Sequence, residues 1–344
     1  MRFTGERVLL LLVAVGVCVA LLPARTASRA AEAEERKVRV GLVFDVGGRG
    51  DKSFNDAAYL GLVRAEKELG VEAAFLEPAA TEDREAGLRL FAAQGMDLVI
   101  GVGFIFSSDV DAVAADYPGV RFACVDYAPG PRGIVGMPTN VLALVFREEE
   151  GSFLVGAAAG QLSKSKVVGF VGGAISPLIK KFEAGYAAGV RAVCPDCSLR
   201  VGYIGSTPDA FKDPAKGKAI AISQASAGAD IIYHAAGASG RGVFEGAKES
   251  GALAVGVDTD QHDEMPGTVV TSMVKRMDVT VFEAIQSVMN DRFEAGMHVF
   301  GLRERGLDWV HEGPHATGVP ERVRDQVEAL RADIVAGTLQ VPTQ

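Results

Sequence analysis

Cysteine and histidine are scarce, four and five among 344 residues, and their spacing closes off most of the chemistry they could support. Cys194 and Cys197 form C-P-D-C after a helical stretch. A redox-active pair belongs at a helix start, and no second pair completes a zinc site. A local disulfide in an oxidising compartment remains open. Cys124, inside an apolar run, reads as a small core residue. His311-E-G-P-His315 matches H-E-x-x-H, but Gly313-Pro314 breaks the helix that would put both histidines on one face. His234, His262 and His298 have no partner at ligand spacing, and no Ser–His or Cys–His pair is supported by context.

Basic excess is lacking too: the formal charge is −9. Residues 1–33 carry four arginines against two glutamates, which leaves the remainder at −11. Such a surface is a poor partner for nucleic-acid polymer or anionic membrane. The apolar stretch Val8–Leu22 is fifteen residues, short for a membrane span. With Arg2 and Arg7 before it and small residues through Ala33 after it, residues 1–33 are expected to be a signal peptide. Val17 before Cys18 departs from a lipidation signal, so cleavage around Ala30–Ala33 is expected, with export to the periplasm or the outer face of the cell membrane.

What the chain does have is glycine, 41 residues, and a strong local motif at Phe44–Asn55, F-D-V-G-G-R-G-D-K-S-F-N. A β-branched run, Val38 to Val43, precedes it. A helical pattern follows, with Ala58, Leu62, Ala65 and Leu69 on one face. A strand, a glycine-rich turn and a helix start form the place where open α/β sheets collect ligands. Lys52-Ser53 imitates a phosphate loop, but Asp51 replaces the glycine before the lysine and puts a carboxylate where phosphate oxygens would sit. Two readings of Asp51 stand: a helix cap and an acceptor for a ligand hydroxyl. Ser53 is the alternative cap.

Strand and helix signals then alternate to the end of the chain. The pattern restarts after residue 146, where V-G-F-V-G-G echoes V-G-L-V-F-D-V-G-G. Alternation predicts parallel sheets covered by helices. The expected fold class is α/β, two Rossmann-like lobes joined by a multi-strand hinge. The first lobe would comprise 38–145 plus about 262–295, the second 146–261 plus about 296–344. Three apolar strands finish in aspartate, at Asp45, Asp126 and Asp258. Carboxyl ends of parallel strands face the crevice, and burying three acids requires donors. A cleft for a polar ligand follows.

These residues, with F-A-C-V-D-Y, R-E-E-E-G-S-F-L-V-G, G-S-T-P-D-A-F-K-D-P-A-K-G, V-G-V-D-T-D-Q and T-S-M-V-K-R in that order, resemble the basic membrane protein family. Its members are type I periplasmic binding proteins, among them purine nucleoside receptors of ABC transporters. The resemblance implies that Phe44 and Phe211 sandwich a purine, and that Asn55 and Asp126 read the base edge. Asp51, Asp258 and Lys275 would hold the ribose hydroxyls, with Gly237 on a loop nearby; Asp45, Lys52 and Ser53 complete the candidate set. Phe54 is assigned to the core. The implied partners are adenosine, guanosine or inosine and the permease subunits, with the receptor a monomer and no cofactor, metal or catalytic residue. Two other classes are weighed against this one. A receptor of the same fold could sense another hydroxylated solute, and a nucleoside hydrolase could use Asp51 or Asp258 as base.

Overall fold

The structure is a computed structural model that describes residues 36–78, 83–130 and 133–344. The expected signal peptide, with Cys18, lies outside them. Among the described residues no helix is long and apolar enough to cross a membrane.

From Arg39 to Gln344 the chain builds two six-stranded sheets. The first contains β1 (Arg39–Val43), β2 (Glu72–Leu76), β3 (Leu98–Val102), β4 (Arg121–Val125), β5 (Val141–Phe146) and β11 (Gly296–Phe300). Its order is β11-β5-β4-β3-β1-β2 and every pairing is parallel. The second contains β6 (Val167–Ala174), β7 (Ser198–Gly205), β8 (Ile231–Ala235), β9 (Leu253–Asp258), β10 (Val269–Lys275) and β12 (Leu307–Trp309). Its order is β12-β10-β9-β8-β6-β7, parallel except for the edge pair β10/β12. The order of the first five strands of each half is the same, so the echo between the two glycine-rich turns marks two lobes of like topology.

Nine α-helices cover these sheets among the described residues: α1 (Phe54–Leu69), α2 (Asp83–Ala93), α3 (Ser107–Asp116), α4 (Glu148–Leu162), α5 (Pro177–Val193), α6 (Pro214–Ser226), α7 (Gly240–Glu249), α8 (Met277–Met289) and α9 (Glu321–Ala336). Each lobe has its own apolar core. In the first, Val43, Leu88, Val99, Val110 and Phe122 are fully buried together. In the second, Ile232, Val243, Phe244 and Ala254 are.

The lobe boundaries differ from the expected ones. Val269–Lys275 does not belong with the first lobe: β10 pairs with β9, and Val269 sits in the second core. Gly296–Phe300 in turn pairs with β5 of the first sheet rather than joining the second lobe. The chain therefore crosses between lobes three times, at Phe146–Glu148, just after Lys275, and between Phe300 and Leu307. An apolar β-branched run states that a segment is a strand; its choice of sheet depends on which edge is still open. Leu307–Trp309 was not foreseen, being only three residues long.

Where α4 and α5 cross, the helices touch backbone to backbone. A Cβ on Gly185 would come within 2.1 Å of the Glu149 carbonyl, and one on Gly189 within 2.0 Å of the Phe153 carbonyl. This close approach sets the spacing of the two helices within the second lobe. Overpacking of this kind costs roughly 1–3 kcal/mol. Gly189→Ala is expected to lower unfolding free energy by that amount in a urea titration, and an unchanged midpoint would contradict the close crossing.

Candidate functional site

Strand order reverses at β1/β3 in the first lobe and at β6/β8 in the second, and ligand sites in open α/β sheets form at such points. The carboxyl ends of both sheets face one cleft, enclosing about 530 Å³ of space with its open mouth included. From the first lobe come Asp45 and Val46 after β1, Asp51, Phe54 and Asn55 at the start of α1, Phe104 after β3 and Asp126 after β4. From the second come Leu178, Ile179 and Phe182 on α5, Phe211, Ala235 to Gly237 at the end of β8 and just past it, Val257 and Asp258 on β9, and Lys275 on β10.

Asp126 and Asp258 adopt φ of 59° and 67°. Left-handed backbone is costly for most residues and tolerated by aspartate. Each acid ends or follows its strand with its side chain buried, 5% and 6% exposed. Burial pushes the Asp258 carboxyl up to about 7, against the pull of Lys275 and the Ser53 hydroxyl. Burial likewise raises Asp126 to about 6, with Lys275 opposing. Asp45, half-buried in the cleft wall, is pushed in the same direction by burial.

Lys275 is 1% exposed. Its Nζ donates to Asp126 Oδ2 at 2.7 Å and to Glu148 Oε1 at 2.9 Å. Burial works against its charge, yet Asp126, Glu148 and Asp258 hold it above the ordinary lysine range. Glu148 also accepts from Lys181. Burial opposes its ionisation as well, but Lys275 and Lys181 prevail and keep its carboxyl below the usual range. The family resemblance groups Lys275 with Asp51 and Asp258 around ribose hydroxyls. In the structure its hydrogen-bond partners are Asp126 and Glu148, and Glu148 was missed because it stands in a run of three glutamates that looks like a solvated helix start.

Asp51 is a helix cap. Its carboxylate accepts from the backbone N–H of Ser53, Asn55 and Asp56 and from Asn55 Nδ2, at 2.8–3.1 Å. Asn55 Oδ1 in turn accepts from the Asp45 N–H at 3.0 Å. Ser53 does not cap; its hydroxyl donates across the cleft to Asp258 Oδ2 at 2.5 Å. Lys52 does not line the cleft either. Its carbonyl accepts from Thr259 Oγ1 and Gln261 Nε2, both at 2.9 Å, a second bridge between the lobes.

The aromatic residues require two corrections. Phe44 is fully buried against Tyr59 and Phe75, with ring centroids 6.0 and 5.7 Å away, and lies outside the cleft. Successive residues of an extended chain point to opposite faces, so Phe44 and Asp45 cannot both face the ligand. Phe54, assigned to the core, lines the cleft instead, with Lys275 Nζ 5.4 Å from its ring. Phe211 does line it, seated against Gly173, where a Cβ would fall 2.3 Å from the ring. Phe104 and Phe182 also line it and were not foreseen. Residues such as Phe182, on the apolar stripe of α5, cannot be told from core by pattern. Cys194 and Cys197 form a disulfide, and neither lines the cleft.

Two like-folded lobes closing on a cleft at their strand ends define a type I periplasmic binding protein, a receptor for a small solute. Residues 37–344 match the model of the PnrA-like substrate-binding proteins of ABC transporters. The chain is 35% identical over 286 residues to a lipoprotein of Pyrococcus abyssi, covering 80% of this chain and 70% of that one. It is 32% identical to basic membrane protein A of Borreliella afzelii, covering 88% and 91%. A solute-binding protein of an ABC transporter from Aeropyrum pernix superposes with a TM-score of 0.79 at 30% identity, over 89% of this chain and 94% of that chain. The chain belongs to the PnrA-like family of ABC transporter substrate-binding proteins, the basic membrane protein family of the sequence reading. Membership implies a permease partner and a small-molecule ligand.

A carboxyl whose folded pKa lies near 7 and whose unfolded value is 3.8 is more easily protonated in the native state. It supports stability at low pH and withdraws that support as pH rises from about 4 through 7. Asp258→Asn removes this liability while keeping an acceptor for Ser53. At pH 8 the unliganded variant is expected to be more stable than the parent by roughly 1–3 kcal/mol, with the gap closing toward pH 4. Thermal melts showing no gap, or one that widens on acidification, would contradict the raised pKa.

Proposed function

We propose that the cleft holds a purine nucleoside and that the protein, a monomer, delivers it to the permease. The observation that carries this reading is the pairing of a flat ring with hydroxyl acceptors. Phe211, fixed against Gly173, offers a π-face to a base, and Phe54 and Phe104 stand on the other lobe for the opposite face. Asp258, deeply buried and already accepting from Ser53, has lone pairs for ribose hydroxyls. Asn55 and Asp126 are the groups available to a base edge, and Lys275 neutralises the acid nearest the base rather than the ribose. Gly237 lines the same wall beside Phe211. Asp51 contributes as the cap that orients Asn55 more than as a ligand acceptor, since its oxygens already serve four donors.

The test is mass spectrometry of the solute released on denaturation, followed by calorimetry on stripped protein. Guanosine, inosine or adenosine is expected to bind with a dissociation constant in the micromolar range or tighter. Phe211→Ala should cost roughly 1–3 kcal/mol, and Asp258→Asn about 2 kcal/mol. GMP should compete at least about 100-fold less well than guanosine, because a phosphate meets several carboxylates and a single buried lysine. Competition within about tenfold would remove the acid-lined cleft as the site, and release of free base from inosine would favour a hydrolase.

Binding should also depend on pH. Hydroxyl donors favour the ionised form of Asp258, so its pKa falls below 7 in the complex and binding expels a proton. Affinity is therefore expected to weaken as pH falls from 8 to 5. Titrations in buffers of different ionisation enthalpy read the proton release directly, and a flat profile would remove Asp258 from the contact.

A further inference from the structure

The turn between β9 and β10 and the turn before α9 bring His262, Asp263 and His315 together. They lie in two short 3₁₀ segments, His262–Glu264 and Pro314–Gly318. The imidazole rings stack with centroids 4.5 Å apart and planes 14° from parallel. One ligand atom from each of the three side chains lies within 4.8 Å of the other two. His315 Nε2 is 3.4 Å from Asp263 Oδ1.

The hydrogen bonds on the far side of each ring set its tautomer. His262 Nδ1 lies 3.1 Å from the Val269 carbonyl, which can only accept, so Nδ1 carries the proton. His315 Nδ1 lies 2.7 Å from Asp260 Oδ2, again an acceptor. In the neutral ring each Nε2 is then left with its lone pair. A histidine whose Nδ1–H is held by a carbonyl or carboxylate is the arrangement that orients metal-ligating imidazoles. Asp260 holds the His315 ring in this way and touches the other segment through its backbone, its Oδ1 accepting from the His262 main-chain N–H at 3.1 Å.

We propose that His262, Asp263 and His315 bind a divalent first-row transition-metal ion such as zinc, with Asp260 as the positioning residue behind them. Two imidazole nitrogens and one carboxylate oxygen suit zinc, copper or nickel, whereas magnesium and calcium want oxygen throughout. Three protein ligands leave a further position for water. The ion would fasten the β9–β10 turn to the segment leading into α9. That turn also carries Thr259 and Gln261, which bridge to the Lys52 carbonyl across the cleft. The site is thus separate from the cleft but set behind one of its closing contacts. It owes nothing to the H-E-x-x-H spacing: His311 stacks on Trp309 at 5.2 Å, apart from His315.

The experiment uses the full chain carrying no histidine tag, stripped with chelator and titrated with zinc chloride. Metal content after gel filtration and calorimetry are expected to give about one zinc ion per chain, with a rise in melting temperature and no comparable response to magnesium. Asp260→Asn should weaken zinc binding about 10–100-fold, and His262→Ala or His315→Ala more than that. Asp263→Asn, an exposed substitution, gives a loss of affinity that misfolding would not explain, and circular dichroism confirms each variant is folded. Absence of zinc binding in the parent, or zinc binding that survives His262→Ala combined with His315→Ala, would overturn the proposal.

Discussion

A lysine ammonium taken out of water is the constraint around which the two lobes are arranged. Lys275 ends β10, and the chain leaves the second lobe immediately after it. Its Nζ reaches Asp126 at the end of β4 in the first lobe and Glu148 at the first residue of α4. One buried cation therefore ties together two of the three chain crossings and a strand end from each sheet. Such clusters add little net stability, but removing one partner leaves an unpaired buried charge at a cost of roughly 3–5 kcal/mol. Glu148 is placed to help twice: it stands at a helix N-terminus, where the dipole favours an anion, and Lys181 supplies a second cation. The geometry of the hinge follows from satisfying that lysine.

Most of the fold was legible because its elements are short, regular and strongly patterned. The strands and helices read from periodicity coincide closely with those of the structure. The failures have a common physical source, which is that local pattern does not encode non-local partners. The run V-V-T-S-M-V specifies a strand and says nothing of which sheet has a free edge. Phe44 turns away from the cleft because of chain parity, fixed only once β1 is docked, whereas Phe54, the first residue of α1, faces the cleft at the helix start. His262 looked isolated because its partner follows another strand, a helix and two further short strands. The disulfide of Cys194 and Cys197 needed only a local turn.

The strand-end aspartates were the strongest site signal, and the structure gives the reason. In a parallel sheet the residue at or just past the last ladder position is released from the pleat, and a positive φ there turns its side chain sideways into the crevice. Aspartate tolerates that backbone and supplies acceptors, so one residue type serves both geometry and chemistry. Asp126 and Asp258 share this conformation in the two lobes, which is the structural form of the weak repeat in the sequence. Asp51 shows the opposite outcome. An equally suggestive acid has its oxygens occupied by the helix it begins, and only the count of N–H donors around it reveals this.

Charge balance in the cleft gives the arrangement its direction. Asp45, Asp126 and Asp258 meet one lysine there, and Glu148 draws on that same lysine. Anions packed at this density cannot all be ionised cheaply without donors, and burial accordingly raises Asp126 and Asp258. Ser53 provides one donor to Asp258 by reaching across from the other lobe, so closure itself relieves part of the cost. A solute rich in hydroxyl and amine hydrogens would relieve more, and an anionic solute would add to it. The cost of burying these carboxylates and the bias it would set against an anionic solute thus have one source, the crowding of Asp45, Asp126 and Asp258 at the strand ends.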